Sequence, residues 1–249
     1  MLPLSAVFIV RDEAADIGRA LDAVGFAAER LVVDSGSTDA TVAICRARGA
    51  RVLTRPFDGF GPQKRWAVSQ AAHDWVLCLD ADEEVTPELR QAIEHLMASE
   101  PDRPAYILPF RTSFLGRALS RGAMAREAHV RLFDRRRARW SEAPIHERVE
   151  VDGAPGRLAG FVRHDTCRDL SESLGKLDRY TTAGAQELRR RGRLRGPIGI
   201  LLTGPFQFFR HWILKGNILN GLPGLAWSVL QAVSPMVKHL KAHERERDR

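Results

Sequence analysis

Trp75-Val76-Leu77-Cys78-Leu79-Asp80-Ala81-Asp82-Glu83 is the stretch on which the fold turns. An unbroken apolar run of this length reads as a strand covered on both faces, the habit of parallel sheets in α/β chains. Asp80 and Asp82 follow one residue apart, so alternation along the chain aims both carboxylates the same way. Paired carboxylates at the C-terminal end of a buried strand suit one hard cation, and such a cation commonly carries phosphate. A solvated turn capping a helix at Pro87 is the alternative for Asp80-Ala81-Asp82 taken alone. Upstream, Leu31-Val32-Val33 is a second apolar strand, and it stops in Asp34-Ser35-Gly36-Ser37-Thr38-Asp39. Acidic loops after both strands point to a nucleotide site at the carboxyl edge of a sheet.

The rest of the first hundred residues keeps the alternation. Residues 4–10 form a first strand, and Asp12 is placed to cap a helix with Ile17, Ala20, Leu21 and Val24 inward. Ser37 or Thr38 caps a helix carrying Val42, Ile44 and Cys45; a strand at 51–54 and a helix at 60–72 follow. Thr86-Pro87-Glu88 joins a cap, a proline at the first position and an early acid, and so starts a helix with Leu89, Ile93, Leu96 and Met97 inward. The pattern predicts an α/β fold with a mostly parallel central sheet. After residue 104 the alternation gives way to strands at 105–110, 129–133, 145–151 and 158–163, then a helix at 170–190 with Leu174, Leu177 and Tyr180 inward. The expected organisation is a catalytic domain over 1–190 and a basic, apolar helical appendage over 191–249.

The chain has 249 residues, 44% hydrophobic and 28% charged, which suits a substantial α/β core. A net charge of +7 and a pI near 9.9 call for an anionic partner. Nucleic acid is not expected, because the basic runs at 135–139 and 189–195 lack interleaved aromatics. Cys45, Cys78 and Cys167 are scattered and read as reduced thiols; Met1-Leu2-Pro3 runs straight into a strand, so a cytoplasmic location is expected. Residues 216–237 carry no charge and are long enough to cross a bilayer at about 1.5 Å per residue. Asn217, Asn220, Pro223, Ser228, Gln231 and Pro235 argue against a span. A hairpin lying on an anionic membrane surface is expected, with a helical subdomain packed on the core as the alternative and 238–249 as a solvated tail. An aspartate-nucleophile phosphatase would place its Asp-x-Asp on the first strand with Thr or Val four residues on, where this chain has Glu84.

Val10-Arg11-Asp12-Glu13, the Asp34 loop, Gly59-Phe60-Gly61-Pro62-Gln63-Lys64, Leu79-Asp80-Ala81-Asp82-Glu83, Arg131-Leu132-Phe133 and Ile145-His146-Glu147 together resemble glycosyltransferase family 2, and within it the lipopolysaccharide inner-core β-glucosyltransferase type. The resemblance covers about residues 4–185 and implies the nucleotide-sugar-binding GT-A fold with inversion at the anomeric carbon. It implies a UDP-sugar donor held by Glu13 and Asp34, with Asp80 near ribose and metal and Asp82 as main ligand of Mg²⁺ or Mn²⁺. The acceptor it implies is a lipopolysaccharide core or another lipid-linked glycan, at the inner face of the cytoplasmic membrane; a polyprenyl-phosphate or other envelope polysaccharide acceptor is the alternative.

An inverting transfer needs a base, and Glu147 is the candidate, with His146 beside it and Asp165 and Glu142 as rivals. The plainer role for Glu147 is an ion pair with Arg135, Arg136, Arg137 or Arg148. His164 is a candidate to complete the metal site, or else an ordinary hydrogen-bonded residue. Arg131 and Lys64 are candidate phosphate contacts or plain surface charges. Asp12 stands where relatives usually have Asn, and Gly122-Ala123-Met124 where many have Gly-Trp, in the expected acceptor loop.

Overall fold

The computed structural model describes residues 1–143 and 147–244. The chain divides into two compact units, residues 1–110 with 127–164, and residues 111–126 with 165–249.

The first unit opens with β1 (Leu2–Val10), α1 (Ile17–Ala23), β2 (Ala27–Asp34), α2 (Thr41–Ala47), β3 (Arg51–Thr54), α3 (Phe60–Ser69), β4 (Trp75–Leu79), β5 (Glu83–Val85) and α4 (Pro87–Ala98). β6 (Ala105–Phe114) continues into the second unit and pairs there with β7 (Arg117–Ala118). β8 (Ala128–Asp134), β9 (Ala138–Trp140), β10 (Val149–Val151), β11 (Gly156–Arg157) and β12 (Val162–Cys167) follow. The main sheet has the order β3-β2-β1-β4-β8-β6-β12-β5. Its first four strands are parallel, whereas β8 is antiparallel to both β4 and β6, so the sheet as a whole is mixed.

Both faces of β1, β4 and the second half of β2 are buried, which explains their unbroken apolar runs, while β3 is a partly exposed edge. Leu4, Ala6 and Phe8 of β1 share one core with Ile17, Leu21, Cys45, Leu89 and Ile93 from α1, α2 and α4. Val7, with Leu31, Val33, Val76 and Cys78, packs on the opposite face against Ala67 and Val68 of α3 and Trp140 of β9. Successive side chains of each strand go to opposite cores, as a period of two requires.

Several boundaries differ from the sequence reading. Thr86 caps α4 as expected, accepting from the Leu89 amide. Asp12 does not cap a helix: it sits at φ 55°, and α1 begins five residues later behind Asp16. α2 begins at Thr41, where Asp39 Oδ1 accepts from the Thr41 amide at 2.9 Å, rather than at Ser37 or Thr38. α3 ends at Ser69, and of the expected strand at 145–151, the described residues pair over Val149–Val151, Ile145 and His146 lying outside the described residues. Residues 158–163 supply only the start of β12.

The second unit is built on α5 (Leu170–Arg190), α6 (Pro197–Phe209), a π-helical turn (Arg210–Leu214), a 3₁₀ turn (Asn217–Asn220) and α7 (Gly221–His243). α5 turns Ser173, Thr181 and Ala185 inward, while Leu174 and Tyr180 are exposed. Leu177, half-buried between Ser173 and Thr181, keeps its expected place, but Leu174 and Tyr180 do not, because small side chains let α7 approach: a Cβ on Gly184 would press on the Lys238 side chain. Lys241 of α7 donates to Asp178 Oδ1 at 2.7 Å and to Thr182 Oγ1 at 2.7 Å. Residues 238–243, expected in a solvated tail, are thus helix with His239 and Ala242 buried. Phe114 and Trp227 meet edge to face at 5.2 Å in this unit's small core. Gly122, at φ 69°, lies against the Lys215 carbonyl, and no Cβ fits there. Among the described residues no helix is long and apolar enough to cross a membrane.

Candidate active site

The strand order reverses between β1 and β4, and in open α/β sheets the ligand crevice lies outside the carboxyl ends of the strands at that point. Val10 pairs opposite Asp34, and Phe8 opposite Leu79, so the loops after β1, β2 and β4 rise side by side there. The first two loops are laced together. The amides of Asp12, Glu13 and Ala14 donate to Ser37 Oγ, Thr41 Oγ1 and Asp39 Oδ2, and the Thr38 amide donates back to Asp12 Oδ1 at 2.7 Å. Asp12 therefore acts as an acceptor in a left-handed position, a role Asp and Asn share. Asp34 is buried and accepts from the amides of Gly36 and Ser37 and from Ser37 Oγ, which fixes its carboxylate at the strand end.

A charged network occupies the other side of the crevice. Asp80 Oδ1 lies 3.1 Å from Lys64 Nζ, and Asp80 Oδ2 accepts from Arg131 at 3.0 Å. Lys64 also donates to Glu147 Oε1 at 2.9 Å. Glu83, 1% exposed, accepts from Arg131 at 2.7 Å and from the Asp80 amide at 3.0 Å. Trp140 floors the cluster, its ring 4.8 Å from the Lys64 ammonium and 5.8 Å from the Arg131 guanidinium. Burial opposes ionisation of Asp80, yet Lys64 and Arg131 hold its carboxyl well below the usual range. Burial pushes Glu83 up to about 7, with Arg131 pulling the other way and Asp80 adding to the rise. Burial works against the charge on Lys64, but Asp80 and Glu147 override it and raise its pKa. Lys64, Asp80, His129, Arg131, Trp140 and Glu147 line a cavity of about 340 Å³.

Asp82 faces His164, with Oδ2 to Nε2 at 3.6 Å, and His164 sits opposite Glu83 in the β12–β5 pair. Burial lowers the His164 pKa but the Asp82 carboxylate overrides it, leaving it raised to about 9. One carboxylate oxygen and one imidazole nitrogen face each other here and could supply two ligands of a single divalent cation, while the other ring nitrogen, His164 Nδ1, is buried with no hydrogen-bond partner in the protein. Asp80, turned to Lys64 and Arg131, does not join them, and no group of three or more such side chains converges among the described residues.

Of the residues singled out from sequence, the structure thus gathers Lys64, Asp80, Arg131 and Glu147 at one cavity, pairs Asp82 with His164, and sets Glu13 and Asp34 on the neighbouring loops. Glu147 pairs with a lysine of α3 rather than with an arginine. Glu142 points outward, 77% exposed, and pairs with Arg65. His146 lies outside the described residues. Sequence reasoning missed Glu83 and Trp140 as parts of the site. The third acid closing β4 was the visible sign of Glu83; Trp140, on a three-residue strand, left none.

Residues 5–145 match the family model described as glycosyl transferase family 2. Over 98% of its length the chain is 26% identical to the lipopolysaccharide core biosynthesis glycosyltransferase LpsC of Rhizobium meliloti, across 93% of that protein. It is 28% identical to an uncharacterized glycosyltransferase of Rickettsia typhi, over 98% of this chain and 88% of the other. A solved glucosyl-3-phosphoglycerate synthase from Mycobacterium tuberculosis, in complex with Mn²⁺, UDP and phosphoglyceric acid, aligns with a TM-score of 0.36 and 24% identity over 45% of this chain and 43% of that one. With more than half its residues inside the family model, on an α/β sheet whose acidic loops meet at the switch point, the chain belongs to glycosyl transferase family 2 and is a glycosyltransferase.

Proposed function

We propose that the chain moves a hexose such as glucose from a UDP-sugar to a lipopolysaccharide-core or other lipid-linked acceptor, with inversion, at the anionic inner face of the cytoplasmic membrane. The observation that carries the reaction is Lys64, one ammonium paired with Asp80 on the β4 loop and with Glu147 across the cavity. Glu13 and Asp34 would hold the nucleoside beside the laced loops. Asp82 and His164 would hold Mg²⁺ or Mn²⁺, which when bound offsets the charge growing on the departing diphosphate. The incoming diphosphate offers Lys64 and Arg131 a new anionic partner, releasing Glu147 from its lysine. Glu147 then takes the proton of the acceptor hydroxyl, the acceptor oxygen bonds to the anomeric carbon, and the sugar–phosphate bond breaks to leave UDP. Similarity across nearly the whole of a lipopolysaccharide core glycosyltransferase supports the choice of acceptor.

Hydrolysis of a panel of UDP-sugars, with Mn²⁺, with Mg²⁺ and with excess EDTA, tests the donor half without the acceptor. Release of UDP from at least one UDP-hexose, lost in EDTA, is expected. Release that persists in EDTA, or from no UDP-sugar at all, would overturn the metal or the donor respectively.

A further inference from the structure

α6 has its polarity inside out. Its inward face carries Ile200, Thr203, Gly204 and, about two turns on, His211 of the π-helical turn, all buried. Thr203 is satisfied internally, accepting from Arg195 at 2.6 Å and donating to the Gly199 carbonyl at 2.6 Å. Its outward face is Ile198, Leu201, Leu202, Phe206 and Phe209, exposed at 74%, 66%, 62%, 62% and 53%. These positions recur at three- and four-residue spacing, so they form one continuous stripe. Past the helix, Leu214 and Leu222 are exposed as well, at 69% and 72%. A soluble protein rarely leaves so long an apolar face in water.

Charge decides what covers it. The sequence holds no Asp or Glu from Leu188 to His243, while Arg193 and Arg195 precede α6 and Arg210 and Lys215 follow it. Cations at both ends with none on the stripe describe a helix lying in the plane of an anionic surface, apolar side sunk among acyl chains and guanidinium groups at headgroup level. A second copy of the chain would bring the same cations into register against themselves. We infer that α6, with the turn that follows it, is an in-plane docking element for the anionic lipid bilayer. The inference rests on the membrane location proposed above and names the element on which it centres, α6; the 216–237 segment marked by sequence folds as a 3₁₀ turn and a helix with Asn217, Pro223 and Ser228 buried and Leu219 and Leu222 exposed.

Cosedimentation of the full chain with phosphatidylcholine vesicles, with and without phosphatidylglycerol, tests it. Binding should require phosphatidylglycerol. Leu202→Ser with Phe206→Ser should weaken it by at least about tenfold, and Arg193→Gln or Arg210→Gln by about fivefold each. Circular dichroism checks that the variants fold; should the double variant not fold, Ile198→Ser, on the most exposed large apolar side chain of α6, carries the test. Three results would each overturn the inference: no binding to anionic vesicles, serine variants that bind like wild type, or light scattering that finds a dimer dissolved by the serine variants with no vesicle binding. The UDP-sugar panel in solution is independent of all these, so a chain that hydrolyses donor but ignores vesicles refutes only the docking element.

Discussion

Lys64→Met and Glu147→Gln, made singly and together, measure the link between the two halves of the site. The Lys64 ammonium is 2.9 Å from Glu147 Oε1 and 3.1 Å from Asp80 Oδ1, and its side chain is 8% exposed against 16% for Glu147. An ion pair in open water contributes about 0.2–1 kcal/mol, and breaking a buried one costs about 3–5 kcal/mol. Exposures of this size sit nearer the buried case, but Asp80 shares the same ammonium, so the Lys64–Glu147 term should be about 2 kcal/mol. Each single change in urea unfolding should cost more than the second change made on top of the first. The two single losses should therefore exceed the double loss by about 2 kcal/mol, where distant sites add to within about 0.5 kcal/mol. Additivity at that level would refute the bridge and with it the account of how donor binding frees the base.

Asp82→Asn should raise the Mn²⁺ concentration needed for UDP-sugar hydrolysis by about 10–100-fold or more, read by metal titration, because an amide keeps the shape and loses the charge a hard cation needs. Glu147→Gln should lower kcat for transfer by about 10²–10⁴ while UDP affinity tightens, because the carboxylate that competes with the diphosphate for Lys64 is gone; the same loss of kcat in Asp165→Asn instead would move the base there. Gly61→Ala should destabilise by about 1–3 kcal/mol in thermal unfolding, since its new Cβ would run into the Ser141 and Ala143 carbonyls, which cannot swing away as a side chain can. Burial first, then Lys215 and Arg210, lowers the His211 pKa from 6.5 to about 4. The unfolded chain thus takes up a proton below pH 6.5 that the folded chain refuses until about pH 4. Stability from this group is present above pH 6.5 and falls by about 3 kcal/mol on the way down to pH 4. His211→Gln should flatten that part of the stability–pH curve; an unchanged slope would refute the burial of a neutral ring.

The parallel half was legible in sequence because its physics is local. A strand buried on both faces must be apolar throughout, and Thr86-Pro87-Glu88 states its helix start in three residues. In the antiparallel half the two long strands were legible too, the expected 105–110 and 129–133 lying within β6 and β8, but the short ones were not. β9 and β10 are three residues each, too short for any period to emerge, and β11 has two. α5 misled for a related reason: hydrophobicity marked Leu174 and Tyr180, whereas the contact with α7 selects for smallness at Thr181 and Ala185. Residue types at the site could be read one at a time, since strand-end carboxylates follow from strand ends. Their partners could not, because Lys64 lies 83 residues from Glu147 and Arg131 lies 51 from Asp80.

Those long-range pairings alter what Asp80 can be asked to do. Two adjacent loop carboxylates suggested one shared cation, but the fold supplies Asp80 with Lys64 and Arg131 and supplies Asp82 with His164. Without donor, the positive groups that would meet a diphosphate are already neutralised by Asp80, Glu83 and Glu147, so the buried cluster avoids the cost of lone charges. A diphosphate must compete for the same ammonium and guanidinium, and each carboxylate it displaces becomes available for other work. On the proposed mechanism Glu147 would act as base only then, which would tie proton abstraction to an occupied donor site. Glu83 keeps hold of Arg131 and of the Asp80 amide from a position closed to solvent, so the β4 loop keeps its shape while its outer charges change partners.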